Sequence, residues 1–201
     1  MLERTAHIGF TMETKIDTLD KYIIIIPNIV PLDLCQNIIK EYINSDEWQN
    51  AGTGPNGDAN LNIRNCDYIQ VSHSDIIQDS INRLNIDNNL FDIAAQCIKE
   101  YKKQFKHSLI QQDTGYDLLR YNTGGFYTQH VDSFLQAPRL VSCSLCLNDD
   151  YEGGEFAFFD KALKYKLNIG DAIMFPSTFM YPHEIMPIIK GTRYSIITWF
   201  R

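Results

Sequence analysis

The stretch YDLLRYNTGGFYTQHVD (residues 116–132) decides how the rest of the chain is read. Upstream of it the apolar residues recur at helical spacing; from it onward they come in short β-rich runs separated by turn residues. It also sets His130 and Asp132 two positions apart. On an extended strand such a pair shares one face, so an imidazole and a carboxylate stand side by side.

Working outward, the runs RLVSCSLCLN, GEFAFFD, YKLNIGDAIMFP, PHEIMPI and TRYSIITWF follow at regular spacing. Short strands in that rhythm predict a sandwich, jelly roll or small barrel. Toward the N-terminus, YIIII (22–26) reads as a buried strand. PLDLCQNIIKEYIN (31–44) reads as an amphipathic helix with Pro31 in its first turn, and with Leu34, Ile38 and Tyr42 on one face beside Cys35, Ile39 and Ile43. Residues 50–62 are Gly-, Asn- and Pro-rich, which is loop chemistry, and YIQVS (68–72) reads as a strand. SDIIQDSINRL is expected to form a short serine-capped helix. NNLFDIAAQCIKEYKKQF is expected to form a longer one, with Phe91, Ala94, Ile98, Tyr101 and Phe105 at helical spacing. The expectation is an α+β chain of one domain over 1–201. In it, an α-rich N-terminal support (1–110) with a mobile loop at about 50–70 backs a β core at 115–201.

The bulk properties narrow the function classes. A length of 201 residues, 44% hydrophobic and 21% charged, is ordinary for a soluble globular domain with a real core. A net charge of −7 argues against a phosphate-backbone binder, so no nucleic-acid partner is expected. No basic leader with an apolar run and cleavage site is present, and Pro27 interrupts the most apolar stretch. The expectation is a soluble intracellular (cytoplasmic) protein without a membrane partner. Five scattered cysteines read as reduced thiols. Cys143 and Cys146 form a CxxC, but on a strand positions three apart face opposite ways, which predicts that they do not share a metal.

His183, in YPHEIMP, is the other histidine of the β-rich half. Two histidines and one carboxylate hold a metal on one face and leave positions open, the arrangement of non-haem Fe(II) oxygenases. Arg193 lies ten residues beyond His183 and alternates with Ser195, Ile197 and Trp199. If that set points into a cavity, the guanidinium and hydroxyl form a carboxylate clamp. The plainer alternative is an ion pair between Arg193 and a surface acid such as Glu184.

With those residues in place, the segment from LLRYNTGGFYTQHVD through GTRYSIITWF resembles the Fe(II)- and 2-oxoglutarate-dependent dioxygenases, specifically the prolyl 4-hydroxylase branch. It is most similar to the oxygen-sensing (HIF-type) prolyl hydroxylases, with GGEF, PHEIMP and TRYSIITWF in matching order. The resemblance implies a double-stranded β-helix (jelly-roll, cupin-like) barrel supported by the N-terminal helices. It implies Fe(II), 2-oxoglutarate and O2, with ascorbate as auxiliary reductant, and a proline-containing peptide or protein as substrate, hydroxylated in the procollagen-proline manner with release of succinate and CO2. His130, Asp132 and His183 resemble the iron ligands, and Arg193 the partner of the far oxoglutarate carboxylate. Tyr121, Tyr127 and Ser195 fall at the oxoglutarate pocket. Arg139 and Trp199 fall at substrate contacts, and Arg64 in a mobile finger at 50–70 hinged by Gly52, Gly54 and Gly57. Cys146 departs from the pattern, standing where close relatives place a second pocket tyrosine. Competing readings are an oxygenase of the same superfamily acting on a lysyl residue, nucleobase or small metabolite, a non-catalytic iron- and oxoglutarate-binding barrel, and a zinc cupin-like hydrolase or isomerase.

Overall fold

Two caps fix where the helices begin. Pro31, at φ −58°, precedes α1 (Leu32–Tyr42), and the Ser80 hydroxyl accepts from the Arg83 N–H at 3.3 Å to start α2 (Ile81–Gln104). A computed structural model describes residues 19–53, 57–72 and 80–201. In chain order its strands are β1 (Ile24–Ile26), β2 (Gln49–Asn50), β3 (Gly52–Thr53), β4 (Asp58–Ala59), β5 (Arg64–Asn65), β6 (Asp67–Gln70), β7 (Asp117–Tyr121) and β8 (Phe126–His130). They continue as β9 (Val141–Cys146), β10 (Glu152–Gly153), β11 (Phe156–Phe158), β12 (Leu163–Tyr165), β13 (Ala172–Pro176), β14 (His183–Ile185), β15 (Ile188–Lys190) and β16 (Arg193–Phe200).

All of the strand pairs are antiparallel, and two sheets dominate. One has seven strands in the order β1-β13-β9-β16-β7-β6-β2; the other has five, β12-β11-β14-β8-β5. Alternation along each strand gives the larger sheet two apolar faces. Leu118, Cys143, Leu145, Met174, Ile196 and Phe200 face one core with Cys35, Ile38 and Tyr42 of α1 and Ile86, Leu90 and Cys97 of α2. Leu119, Tyr121, Cys146, Phe175 and Ile197 face the other core, with Phe156, Phe158 and Ile185 of the smaller sheet. The result is three layers: helices, large sheet, small sheet. Cys143 lies in the first core and Cys146 in the second, as the three-residue spacing requires, and all five cysteines are buried free thiols. Among the described residues no helix is long and apolar enough to cross a membrane.

Three local expectations change. Residues 81–84 and 88–104, expected in two separate helices, lie on one, because Ser80 is its cap and nothing after it breaks the ladder; the start expected at Ser74 falls in residues 73–79, outside the described set. The buried stripe of α2 runs Ile86, Leu90, Ile93, Ala94, Cys97, Tyr101, leaving Phe91 exposed. The described residues of 50–65 carry short strands where loop was expected, β3 pairing β4 and β5 pairing β8, and the strand expected at 68–72 is β6, paired with β7. The first 110 residues therefore contribute strands to both sheets as well as helices; Gly54 lies outside the described residues. Arg83 ties the helices together, its Nε 3.1 Å from Glu41 and its Nη1 2.7 Å from Glu47 just beyond α1.

Leu90 has no exposed surface and fills the seam between α2 and the large sheet. Leu90→Ala is expected to cost about 2–5 kcal/mol of stability through the cavity it leaves. Denaturant unfolding measures this directly.

Candidate active site

The two sheets enclose a cavity of ≈ 230 Å³. His130 closes β8 and His183 opens β14, and the two residues are directly opposite each other in the antiparallel pair. Asp132 sits just past the end of β8, not on the strand itself. The backbone still delivers it, because the N–H groups of Asp132 and Ser133 both donate to the Ser177 carbonyl (3.2 and 3.0 Å). One ligand-type atom from each of His130, Asp132 and His183 lies within 4.8 Å of the others.

The imidazoles are oriented for coordination. Nδ1 of His130 is 2.8 Å from the Thr128 carbonyl and Nδ1 of His183 is 3.1 Å from that of Tyr181. A proton on each Nδ1 donates to its carbonyl and leaves Nε2 with a free lone pair. Those Nε2 atoms lie 3.5 and 3.6 Å from Oδ1 and Oδ2 of Asp132. Burial pushes the His183 imidazole down to about 4, against the pull of Asp132, so the ring is neutral at neutral pH. Burial alone would raise the Asp132 carboxyl, but His183, His130 and the Ser142 hydroxyl outweigh it and hold it well below the usual carboxylate range. Two imidazoles and one carboxylate, with no thiolate in the cluster among the described residues, are a donor set that suits a divalent first-row metal of the iron type.

The carboxylate is itself held. Ser142 Oγ donates to Asp132 Oδ2 at 2.6 Å, and the Ser142 and Ser177 hydroxyls are 2.8 Å apart, both essentially without exposure. Partners behind a metal ligand are typically worth about 10–100-fold in affinity. Ser142→Ala is expected to weaken Mn(II) binding to the metal-free protein by roughly tenfold, read by titration, while Ser177→Ala, one hydroxyl further out, does less.

Arg193 lies in the same cavity with Ser195, Ile197 and Trp199, so the inward alternation of β16 holds. Its side chain is 2% exposed, its Nη1 donates to Ser195 Oγ at 3.1 Å, and its guanidinium is 5.2 and 5.4 Å from the Phe156 and Tyr121 ring centroids. Among the described residues it forms no ion pair; Glu184 is 3.5 Å from Lys161 instead. Gly154, at φ +68°, makes room for this arrangement, since a Cβ there would sit 3.2 Å from Arg193 Cδ. Tyr151, a buried residue the sequence reading passed over, places its hydroxyl against both Arg193 and the Cys146 thiol. Hydroxyl chemistry is thus present beside Cys146 from another element.

The remaining residues expected at the site also converge on the cavity. Tyr127 stacks on His130 with ring centroids 3.5 Å apart, and the Arg64 guanidinium lies 4.7 Å over the Tyr127 ring. Arg64 is on β5, paired with Tyr127 across the sheet, and donates to the Gly52 carbonyl at 3.0 Å, so a strand positions it. Arg139 lies flat over Trp199 (3.4 Å to the centroid) and donates to the Asp132 carbonyl at 3.1 Å. Phe156, Ser144 and Asp117 line the cavity without having been singled out in the sequence. The signal was present, since alternation carried back from Tyr121 reaches Asp117, and from Cys146 reaches Ser144 and Ser142.

Residues 116–201 match the family model described as the 2OG-Fe(II) oxygenase superfamily. A PKHD-type hydroxylase of Colwellia psychrerythraea is 39% identical over 85 residues, 38% of this chain and 37% of that protein. Another, of Picosynechococcus sp., is 36% identical over 119 residues, 52% of this chain and 53% of its own length. These matches span about two fifths to half the length of the relatives. Among solved structures, a Trichoplax adhaerens prolyl hydroxylase in complex with a hypoxia inducible factor peptide fragment superposes with a TM-score of 0.71 at 17% identity, covering 92% of this chain and 85% of that one. The viral collagen prolyl hydroxylase of Paramecium Bursaria Chlorella virus-1 gives 0.66 at 18% identity, covering 90% and 96%. The fold, mostly antiparallel sheet with two helices among the described residues, is of the jelly-roll type those structures share.

Proposed function

From the 2OG-Fe(II) oxygenase superfamily domain carried by residues 116–201, we propose that this chain hydroxylates a prolyl residue of a peptide or protein, consuming 2-oxoglutarate and O2 and releasing succinate and CO2. In this reading the two sheets are a double-stranded β-helix with the helices as its outer support, and residues 1–201 act as one catalytic unit. The observation that carries the proposal is a buried guanidinium, without an acidic partner among the described residues, in the same cavity as the His–Asp–His cluster.

His130, Asp132 and His183 would hold the ferrous ion. That ion supplies the O2 activation that side chains do not perform. Arg193 grips the far carboxylate of oxoglutarate through a forked, charge-assisted contact, with Ser195, Tyr121 and Tyr127 completing the pocket. The apolar walls from Phe156, Phe175 and Ile185 keep water from the reacting atoms. At the other end, the stacked Arg139–Trp199 pair and Arg64 receive the substrate, and the β3–β4 hairpin closes against it. Holding the target C–H in place then decides which carbon is oxidised.

Incubation with Fe(II), ascorbate, oxoglutarate and a panel of proline-containing peptides tests the reading. Succinate release coupled to a mass gain of one oxygen on proline is the expected result. Oxoglutarate turnover with oxygen delivered to a lysyl residue, a nucleobase or a small metabolite instead would replace the substrate half of the proposal. Metal and oxoglutarate binding without any turnover would remove the catalytic half.

A further inference from the structure

Two carboxylates line the cavity, and the proposed chemistry uses only Asp132. The second, Asp117, opens β7. Among the described residues it makes no hydrogen bond and no ion pair. The two cations that act on it hydrogen-bond to other groups: Arg64 donates through Nη1 to the Gly52 carbonyl and lies over the Tyr127 ring, with its buried Nε unpartnered among the described residues, and Arg139 donates to the Asp132 carbonyl and lies over the Trp199 ring. Arg120, three residues along, faces away and pairs with Asp67 at 2.9 Å. Burial pushes the Asp117 carboxyl up to about 6, with Arg64 and Arg139 pulling the other way. A half-buried carboxylate with no hydrogen-bond partner among the described residues gains from a donor brought by a ligand.

Register says which ligand. On the β7–β16 pair, Tyr121 is opposite Arg193 and Asp117 is opposite Ile197. Four residues of strand span roughly 13 Å, so Asp117 stands at the far end of the cavity wall from the oxoglutarate guanidinium. It neighbours the end where Trp199 and Arg139 lie. Tyr68, opposite Leu119 on β6, lines the same wall with an aromatic ring.

We propose that Asp117 is a specificity-determining residue that binds a protonated amine of the substrate, next to the carbon that is hydroxylated. This inference rests on the oxygenase reading and names the kind of substrate that reading leaves open. A prolyl nitrogen within a chain has no hydrogen to donate, so the amine comes from a neighbouring basic side chain or from the free amino terminus of a peptide that begins at proline.

The test uses the full chain loaded with Fe(II) and oxoglutarate and matched short peptides. One arm is N-acetylated, with Lys, Ala or Glu flanking a central proline on either side; the other begins with proline, free or acetylated. The expected result is a preference of about tenfold or more in kcat/KM for Lys over Glu, or for free over acetylated terminus, and which arm shows it identifies the source. Asp117→Asn should flatten that preference and Asp117→Lys should invert it. Asp117→Asn should not lower the melting temperature, since no protein partner is lost; a fall would mark a structural carboxylate and count against the proposal. Hydroxylation without charge preference, or a preference that survives Asp117→Asn, overturns the inference alone. No product from any peptide overturns the prolyl-hydroxylase reading and this inference with it.

Discussion

His183→Ala should raise the Mn(II) or Fe(II) dissociation constant by more than about 100-fold and reduce oxoglutarate-dependent succinate formation to background. The lower bound comes from partners one step further out, whose loss already costs about 10–100-fold; loss of a direct donor must exceed it. His183 is 3% exposed and its ring lies 4.6 Å from that of Phe175 and 5.6 Å from that of Phe158, so alanine also leaves a hole. Asp132→Asn is the control for that hole. It keeps the volume and leaves Ser142 a partner, yet replaces an anionic donor with a neutral amide, so it should lose metal with little loss of fold. Isothermal metal titration of the metal-free variants, with their melting curves, separates the two effects. Wild-type oxoglutarate turnover in His183→Ala or Asp132→Asn would show that the residue replaced is no ligand.

How much of this was legible in the sequence depends on what each residue needs. Arg193, Ser195, Ile197 and Trp199 were legible because a strand has a strict period of two, and one inward residue fixes all the others. The opposite faces of Cys143 and Cys146 followed from the same rule. His130 and Asp132 were paired on the assumption of a continuing strand. The strand ends at His130, and Asp132 is held at the cluster by hydrogen bonds from its own and the Ser133 N–H to the Ser177 carbonyl, a contact across some 45 residues that no local pattern announces. The Ser142–Ser177 hydroxyl pair was hidden for the same reason, as a serine on β9 and another just past β13 look like ordinary surface residues until the chain beyond β8 brings a carboxylate to them. The strand expected at 68–72 is β6, whereas the short strands of 50–65 were not legible, because they are two residues long and β5 is held by pairing to β8 and not by its own propensity. The cap at Ser80 was not picked out because a serine that bonds an N–H three residues on looks the same in sequence as any other serine; the helix start expected at Ser74 lies outside the described residues.

Arg193→Ala should produce a different failure from loss of a metal ligand. The guanidinium is not part of the His130–Asp132–His183 cluster; among the described residues its Nη1 donates to Ser195 Oγ at 3.1 Å and the Tyr151 hydroxyl lies against it. Metal affinity in the absence of oxoglutarate is therefore expected to stay within about twofold of wild type, since none of the partners that tune the ligands is disturbed. The oxoglutarate requirement is another matter. Truncating one side of a buried charge pair costs about 2–5 kcal/mol, because the other charge is left unpaired. At about 1.4 kcal/mol per decade this is a rise of roughly 30-fold or more in the oxoglutarate KM. Arg193→Lys should recover only part of the loss: the ammonium keeps the charge but not the planar fork, and it does not lie as a plate between Tyr121 and Phe156. Burying a side chain of this size also makes packing part of the effect, so Arg193→Met, which fills the space without the charge, is the informative partner variant. If Met matches Ala in oxoglutarate KM while recovering the melting temperature, the guanidinium acts on the cosubstrate. If Met restores the KM, the residue is only a filler of the core and the carboxylate clamp is refuted.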